Sequence, residues 1–558
     1  MHIMTHRLGR RDLLNLLSAG GAAMLAPHAS GTEKQISEKL SGGKPPALVH
    51  GLCVNEDNSH FFFDFEKHGF ESEAIDAWVD QYAHTQVRDL MLCLNGMRAN
   101  YDSKVWNPIW KGLDPQAGPD QPLFASLTPE QRPGGWKFAY NAWKLDHDGV
   151  DVYKRWIKRS RKWGISPWIS MRMNDIHEVN DEHHYFHSDL WRQNPQFRRV
   201  NYRFSGWTDR ALDYGHPEVR NHAMALVREL AERYDFDGLE LDWMRFGYHF
   251  RPGHEAEGVG LLTEFTAEVR DVLNGWQKKR GHRIRLSARV PSRPETAVGL
   301  GMDAATWAQR GLVDMIVITP FWATIETDMP VELWKNLLRG TNVTLAAGLE
   351  VLARPFHDFK IQMNSHETVR GAAATLLDRG ADRIYLFNYM GYAGVMSDFD
   401  DYAGLLREAG NPETLVGKPR RHMITYADTW APGEPSTHQL PARCAPKEWN
   451  AFRVSTGPMP ASGRSVARLG IQGTADAKSW EVRVNGELCS FTGMVKPDHC
   501  RPDDPMFEFQ VPASAMNRGY NLIEILAQAE GKIVWVEMAM DSAVTSSRDF
   551  SPRWGAVV

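Results

Sequence analysis

Between positions 49 and 406 the chain alternates, eight times over, a short apolar run with an amphipathic helical pattern. Few folds accept that order. The strand-like runs fall at 49–54, 89–94, 166–173, 238–243, 283–290, 315–319, 344–349 and 383–389. Between the third and fourth, Val219, Ala223, Leu226, Val227, Leu230 and Tyr234 recur at helical spacing, with Pro217 in the first turn. After the fourth, Leu262, Phe265, Val269, Val272, Leu273 and Trp276 do the same. Eight strand–helix units with right-handed crossovers close a parallel sheet on itself. The expected fold class is therefore α/β, a (β/α)8 TIM barrel over 46–411. The competing arrangement is an open doubly wound sheet, but no Gly-rich dinucleotide fingerprint follows the first strand.

Beyond the barrel, Pro, Gly, Thr and His dominate 412–443, which reads as a linker. From 444 to 545 the pattern turns all-β. Strand-like runs at 450–455, 465–471, 480–484, 507–511, 521–527 and 532–538 predict a small β-sandwich, and Asn485-Gly486 marks a hairpin. At the other end, Arg10-Arg11 precedes a charge-free small-residue run from Leu16 to Ala26. Residues 1–30 thus read as a twin-arginine export signal, too short for a stable membrane anchor, and the expected location is periplasmic or extracellular.

Composition narrows the partners. Sixty-four Lys and Arg against 69 Asp and Glu leave a formal charge of −5, so no basic excess exists to neutralise a phosphate backbone, and nucleic acid is not an expected partner. Five Cys are too few for a disulfide scaffold, although Cys489 and Cys500 lie close enough in sequence to pair. Twenty Trp are more telling. Two long connections, 95–147 and 174–216, rise where barrel active sites are built. They carry Trp106, Trp110, Trp136, Trp143, Trp191 and Trp207. Indole faces pack against the C–H faces of sugars, so a carbohydrate substrate is the expected partner.

The chemistry centres on the fourth strand, Gly238-Leu239-Glu240-Leu241-Asp242-Trp243. Side chains alternate along a strand, so Glu240 and Asp242 share the face opposite the two leucines. In a barrel the leucines meet the helices, and the acids point inward among positions normally filled by Val, Ile and Leu. Asp242 lies at the C-terminal tip and Glu240 one layer deeper.

The run from His216-Pro217-Glu218-Val219-Arg220 to Tyr234-Asp235-Phe236-Asp237-Gly238-Leu239-Glu240-Leu241-Asp242 resembles the bacterial glycosyl-hydrolase-like family ten proteins. The likeness is tight around Asp175 and from Asp213 to Arg245. That family is barrel-shaped and presumed to act on polysaccharides. The same strand is similar to the chitinase signature Asp-Gly-x-Asp-x-Asp-x-Glu, except that Glu240 replaces the middle Asp and Met244 stands where the catalytic Glu would be. This argues against chemistry in which the substrate's acetamido group attacks.

Glycoside hydrolysis needs two carboxylates about the scissile bond. The second is expected to be Glu350, at the end of the seventh strand; the resemblance, rather than the spacing, implies a pair on strands four and seven. A retaining mechanism is expected, with Glu350 as nucleophile and Asp242 as acid/base, an order the sequence does not fix. Glu56, Asp175, Glu326 and Asp328 are rival second acids, and a strand-six acid with Asp242 as nucleophile would make an α-glycosidase-like site. A non-catalytic carbohydrate-binding barrel is the rival of another class.

Around these acids the expected substrate-binding residues are Asn95, Arg98, Arg172, Asn174, Asp175, Trp243, Arg245, Arg289, Trp322, Asn388 and Tyr389, several of them gathered by strand parity. Arg172, Arg245 and Arg289 would either neutralise the buried acids or clamp an anionic sugar. The run His177–His184 matches no metal-ligand spacing and reads as a solvated loop, so neither metal nor cofactor is called for.

Overall fold

The computed structural model describes residues 50–57, 59–64, 72–389, 399–459, 463–473, 476–495 and 504–540. The twin-arginine segment and Cys500 lie outside these residues. Eight parallel strands close a barrel: β1 (Leu52–Asp57), β2 (Val87–Cys93), β3 (Ser166–Arg172), β4 (Gly238–Asp242), β5 (Arg285–Pro291), β6 (Met315–Thr319), β7 (Thr344–Leu349) and β8 (Arg383–Phe387), with β8 pairing back to β1. A β-sandwich follows, and the fold is a TIM barrel with an all-β domain after it.

Local chemistry explains the repeats. The helix Val152–Lys162 starts on Asp151, whose carboxylate accepts from the Lys154 amide, and buries Tyr153, Trp156 and Ile157. The helix Pro217–Arg233 begins with proline in its first turn and turns Val219, Ala223, Leu226, Val227 and Leu230 into the core. The 26-residue helix Glu255–Arg280 stops at Gly281, whose φ of 76° suits a residue without a Cβ. At the start of β4 the Trp168 indole lies where a Cβ on Gly238 would stand, 2.2 Å from its nearest carbon, so only glycine admits the ring.

The strands fall where the sequence places them, except that β1 begins and ends three residues later than expected. Asn55, Glu56 and Asp57 are thus strand residues. Parity on β4 holds: Leu239 and Leu241 join the outer apolar core, while Glu240 and Asp242 face the barrel axis. The first long connection is not a bare loop, since Arg132–His147 forms a 16-residue helix.

In the sandwich, one sheet runs in the order Arg420–Met423, Gly531–Met540, Ser465–Ile471, Met506–Gln510, Ser490–Val495, with Ala442–Cys444 also on Gly531–Met540. The other runs Trp449–Ser455, Tyr520–Ala527, Trp480–Val484, Glu487–Leu488. The Asn485-Gly486 hairpin is present with φ of 50° and 85°, the left-handed pair that a tight two-residue turn requires. Cys489 stands as a free buried thiol.

The expected linker needs correction. Within 412–443, Arg420–Met423 pairs antiparallel with the last strand, and helix His366–Asp378 packs against it. Gly371 permits that approach, because a Cβ there would stand 2.0 Å from the Arg421 carbonyl oxygen. The segment is part of the junction between barrel and sandwich. Asp328 belongs there too, paired with Arg379 at 3.0 Å and with Arg453 of the sandwich at 2.7 Å. Among the described residues, no helix is long and apolar enough to cross a membrane.

Candidate active site

The C-terminal tips of β4, β5 and β7 converge on one guanidinium. Arg289 of β5, wholly buried, donates from Nη1 to both oxygens of Asp242 at 3.1 Å and from Nη2 to Glu350 Oε1 at 3.0 Å. Register explains the first contact: Arg172, Asp242 and Arg289 lie side by side on β3, β4 and β5, all facing inward. The Phe387 ring of β8 stacks on the guanidinium, with its centroid 3.7 Å from Arg289 Cζ. Because the two carboxylates share the terminal nitrogens of one planar group, their nearest oxygens stand no more than roughly 9 Å apart. That limit includes both separations found in glycosidases.

The two acids differ in their partners. Asp242 is saturated: besides Arg289, its Oδ1 accepts from the Met244 amide at 3.0 Å. Among the described residues, Glu350 keeps Oε2 buried without a partner. Burial pushes the Glu350 carboxyl up to about 8 against the pull of Arg289, so it carries a proton at neutral pH.

Glu240 lies beneath. Its Oε1 accepts from Tyr385 at 2.7 Å, Ser170 at 2.8 Å and Asn55 at 3.2 Å, while Oε2 has no partner. Burial first, and the Asp242 charge second, raise it to about 7. Neither oxygen reaches Arg289 within hydrogen-bonding distance among the bonds described, so Glu240 shapes the field under Asp242 instead of joining the pair.

A second cluster adjoins the first. Arg172 pairs with Asp57 at 2.7 Å and Asp175 at 3.3 Å, and Asp175 meets His177 Nδ1 at 2.9 Å. Burial opposes ionisation of Asp57, but Arg172 more than offsets it and holds the carboxyl well below its usual range. His177 Nε2 stands 3.3 Å from Arg245 Nη2. Beyond, the rings of Phe246, Trp207 and Phe321 form a wall. Trp207 stacks on Phe321 with centroids 5.6 Å apart, meets Phe246 edge-on at 5.1 Å, and is 39% exposed.

Several expected binding residues serve the scaffold instead. Asn95 donates to the Gly96 and Arg172 carbonyls, and Arg98 is spent on the carbonyls of His187, Ile109 and Lys111. Asn174 ties the Leu212 and Tyr248 carbonyls. Trp243, one position past Asp242, faces outward and packs on Tyr214, His249 and Phe265. Trp322 is half-buried and packs against the main core, while Phe321 stands on the aromatic wall. Tyr389 donates to the Glu350 carbonyl at 2.8 Å, backing that acid, and Asn388 is half-buried with φ of 62°. Among the rival acids, Glu56 faces away from the axis with neither oxygen partnered, and Glu326 pairs with Arg293 at 2.8 Å.

Both acids of the pair are buried: Asp242 is 1% exposed and Glu350 not at all. Of the loop tryptophans, Trp191 is buried under Arg198 and Trp106 stacks on His222, both as packing. Asn55, Asp57, Tyr385 and Phe387 were missed. Alternation along β1 would have found Asn55 and Asp57 had that strand been placed three residues later, and Tyr385 and Phe387 already stood on one face of the expected eighth strand. Among the described residues, no group of three or more His, Cys, Asp or Glu is arranged to hold a metal.

No family model matches the chain, and no curated protein does. Solved structures do. The chain is similar to the PgaB (BpsB) glycoside hydrolase domain from Bordetella bronchiseptica, at 12% identity and a TM-score of 0.39, over 65% of this chain and 99% of that one. It is similar to the chitinase ChiW from Paenibacillus sp. str. FPU-7, at 10% identity and 0.36, over 87% and 52%. The Thermotoga maritima alpha-fucosidase in complex with fucose is matched at 11% and 0.31, over 85% and 94%. Likenesses this distant carry no argument about activity, which rests on the site itself.

Proposed function

We propose that this chain is an exported glycoside hydrolase that cleaves poly- or oligosaccharides between Asp242 and Glu350, with retention of configuration. The supporting observation is the Arg289 bridge, which holds two buried carboxyl groups from β4 and the end of β7, one with both oxygens partnered and one with an oxygen left over among the described residues. Glu350 acts as the acid: its unpartnered Oε2 presents the proton to the leaving glycosidic oxygen. Asp242 attacks the anomeric carbon from the opposite side, and a water, deprotonated by Glu350, then releases the sugar. Arg289 orients Asp242 for attack by holding both of its oxygens. Export stays with the Arg10-Arg11 signal alone.

Reducing-sugar release from a panel of neutral and acidic polysaccharides tests the activity. The proton signal of the first-formed anomer tests retention. Catalysis abolished in both Asp242→Asn and Glu350→Gln is the expected result; hydrolysis by either variant at the normal rate would remove that residue from the mechanism. The burial of both acids favours a second reading, a barrel that binds glycans without cleaving them. Binding with no release from any polysaccharide would select it.

A further inference from the structure

Arg245, three residues past Asp242, is 6% exposed. Its neighbours at this end of the barrel are compensated: Arg172 has Asp57 and Asp175, Arg289 has Asp242 and Glu350, and Arg293 has Glu326. Arg98 and Arg354, which lack a carboxylate, are capped by backbone carbonyls. Arg245 has neither among the described residues. Its one hydrogen-bond contact is His177 Nε2 at 3.3 Å, and its Nε is buried without an acceptor. His177 Nδ1 faces the Asp175 carboxylate and its Nε2 faces the guanidinium, so the group Arg245 meets there is an imidazole nitrogen and not an anion. Leaving a guanidinium desolvated without an anion is costly.

Position supplies the reason. Arg245 lies against the Phe387 ring, 5.3 Å from its centroid, and Arg289 lies against the same ring. It also lies 5.1 Å from the Phe246 ring, which continues into Phe321 and the exposed Trp207. A sugar ring laid on that wall would carry a substituent toward Arg245. The carboxylates around it, Asp57, Asp175 and Glu350, each hold another arginine, so its charge is unclaimed.

We propose that Arg245 anchors an anionic substituent, a carboxylate or a sulfate ester, on the sugar beside the Asp242–Glu350 pair, which makes the substrate an acidic glycan. The proposal rests on the hydrolase reading for its substrate class, but its test reads binding. Affinities of the full chain are measured for two matched pairs, a uronate oligosaccharide with its methyl ester and a sulfated galactan oligosaccharide with its desulfated form. The charged member of one pair should bind at least about tenfold tighter, and the pair that responds identifies the substituent. Arg245→Gln should abolish the preference and Arg245→Lys should restore part of it, since lysine keeps the charge without the fork. Equal binding within both pairs, no binding by any member, or a preference that survives Arg245→Gln would overturn it. Should Arg245→Gln not fold, an undiminished preference in Arg245→Lys would do so. Hydrolysis confined to neutral glycans would sink this inference and spare the hydrolase. Charge-selective binding without hydrolysis would do the reverse.

Discussion

The two ends of the barrel each bury carboxylates among arginines, and they treat them differently. At the N-terminal end, Asp89 of β2 accepts from Trp168 Nε1 and from Arg285, both at 2.9 Å, with the Cys53 thiol and Arg383 beside its other oxygen. Neither oxygen is left over. At the C-terminal end, Glu350 and Glu240 each keep a buried oxygen unpartnered among the described residues. Satisfied polar groups fix a fold, whereas unsatisfied ones hold capacity for something that arrives. The contrast assigns stability to one end and chemistry to the other.

The strongest way to break that contrast is to neutralise the acids at the reactive end. Asp242→Asn or Glu350→Gln should lower kcat by three or more orders of magnitude, about the loss expected of a catalytic group. Melting should barely move for Glu350→Gln near pH 4, where folded and unfolded chains both hold the proton, and should rise at neutral pH, where only the folded chain keeps it. It should drop for Asp242→Asn, which strips Arg289 of its anion. At the other end, Asp89→Ala should do the opposite, costing about 3 kcal/mol in denaturant unfolding while the folded enzyme keeps its kcat. A large loss of kcat there would end the division of labour.

The pH dependence sharpens the comparison. With Glu350 raised to about 8, kcat should fall above that pH as the acid loses its proton. Stability carries a matching sign. Between 4.5 and about 8 the folded chain keeps a proton that the unfolded chain releases, so Glu350 makes stability decline with rising pH across that window. Glu350→Gln should remove that part of the slope in melting curves recorded from pH 4 to pH 9.

The smallest expected effect is at the rim. Trp207→Ala should raise KM about tenfold with little change in melting, as loss of a stacking face would. Trp191→Ala, by contrast, should cost about 3–5 kcal/mol in the same unfolding assay. A Trp207 variant that binds glycans normally would leave the aromatic wall without a role in recognition.

Alternation was enough to read the barrel and the inward set of Glu240 and Asp242 from the chain, because a period of two is unforgiving once a strand is placed. It failed where placement failed. The polar run Asn55-Glu56-Asp57 looks like a loop, yet it completes β1, which hid Asn55 and Asp57. Trp243 was misjudged because its aromatic character outweighed its odd parity with Asp242. Arg98 and Asn174 were beyond reach for another reason: their partners are carbonyls brought in by loop closure, which no local pattern encodes. The Arg289 bridge lay between, since the residues were nominated singly but their convergence depends on the register of β4 and β5.

Asp428, in the segment joining barrel to sandwich, accepts from the backbone amides of Phe321, Trp322 and Ala323 at 2.7, 2.8 and 2.7 Å. One carboxylate thereby turns the loop after β6 and sets Phe321 against Trp207. A ribosome that has just passed residue 411 has made every strand of the barrel, but it has not yet made this residue. The carboxylate that turns the loop of the aromatic wall is therefore made after every strand of the scaffold that carries that wall.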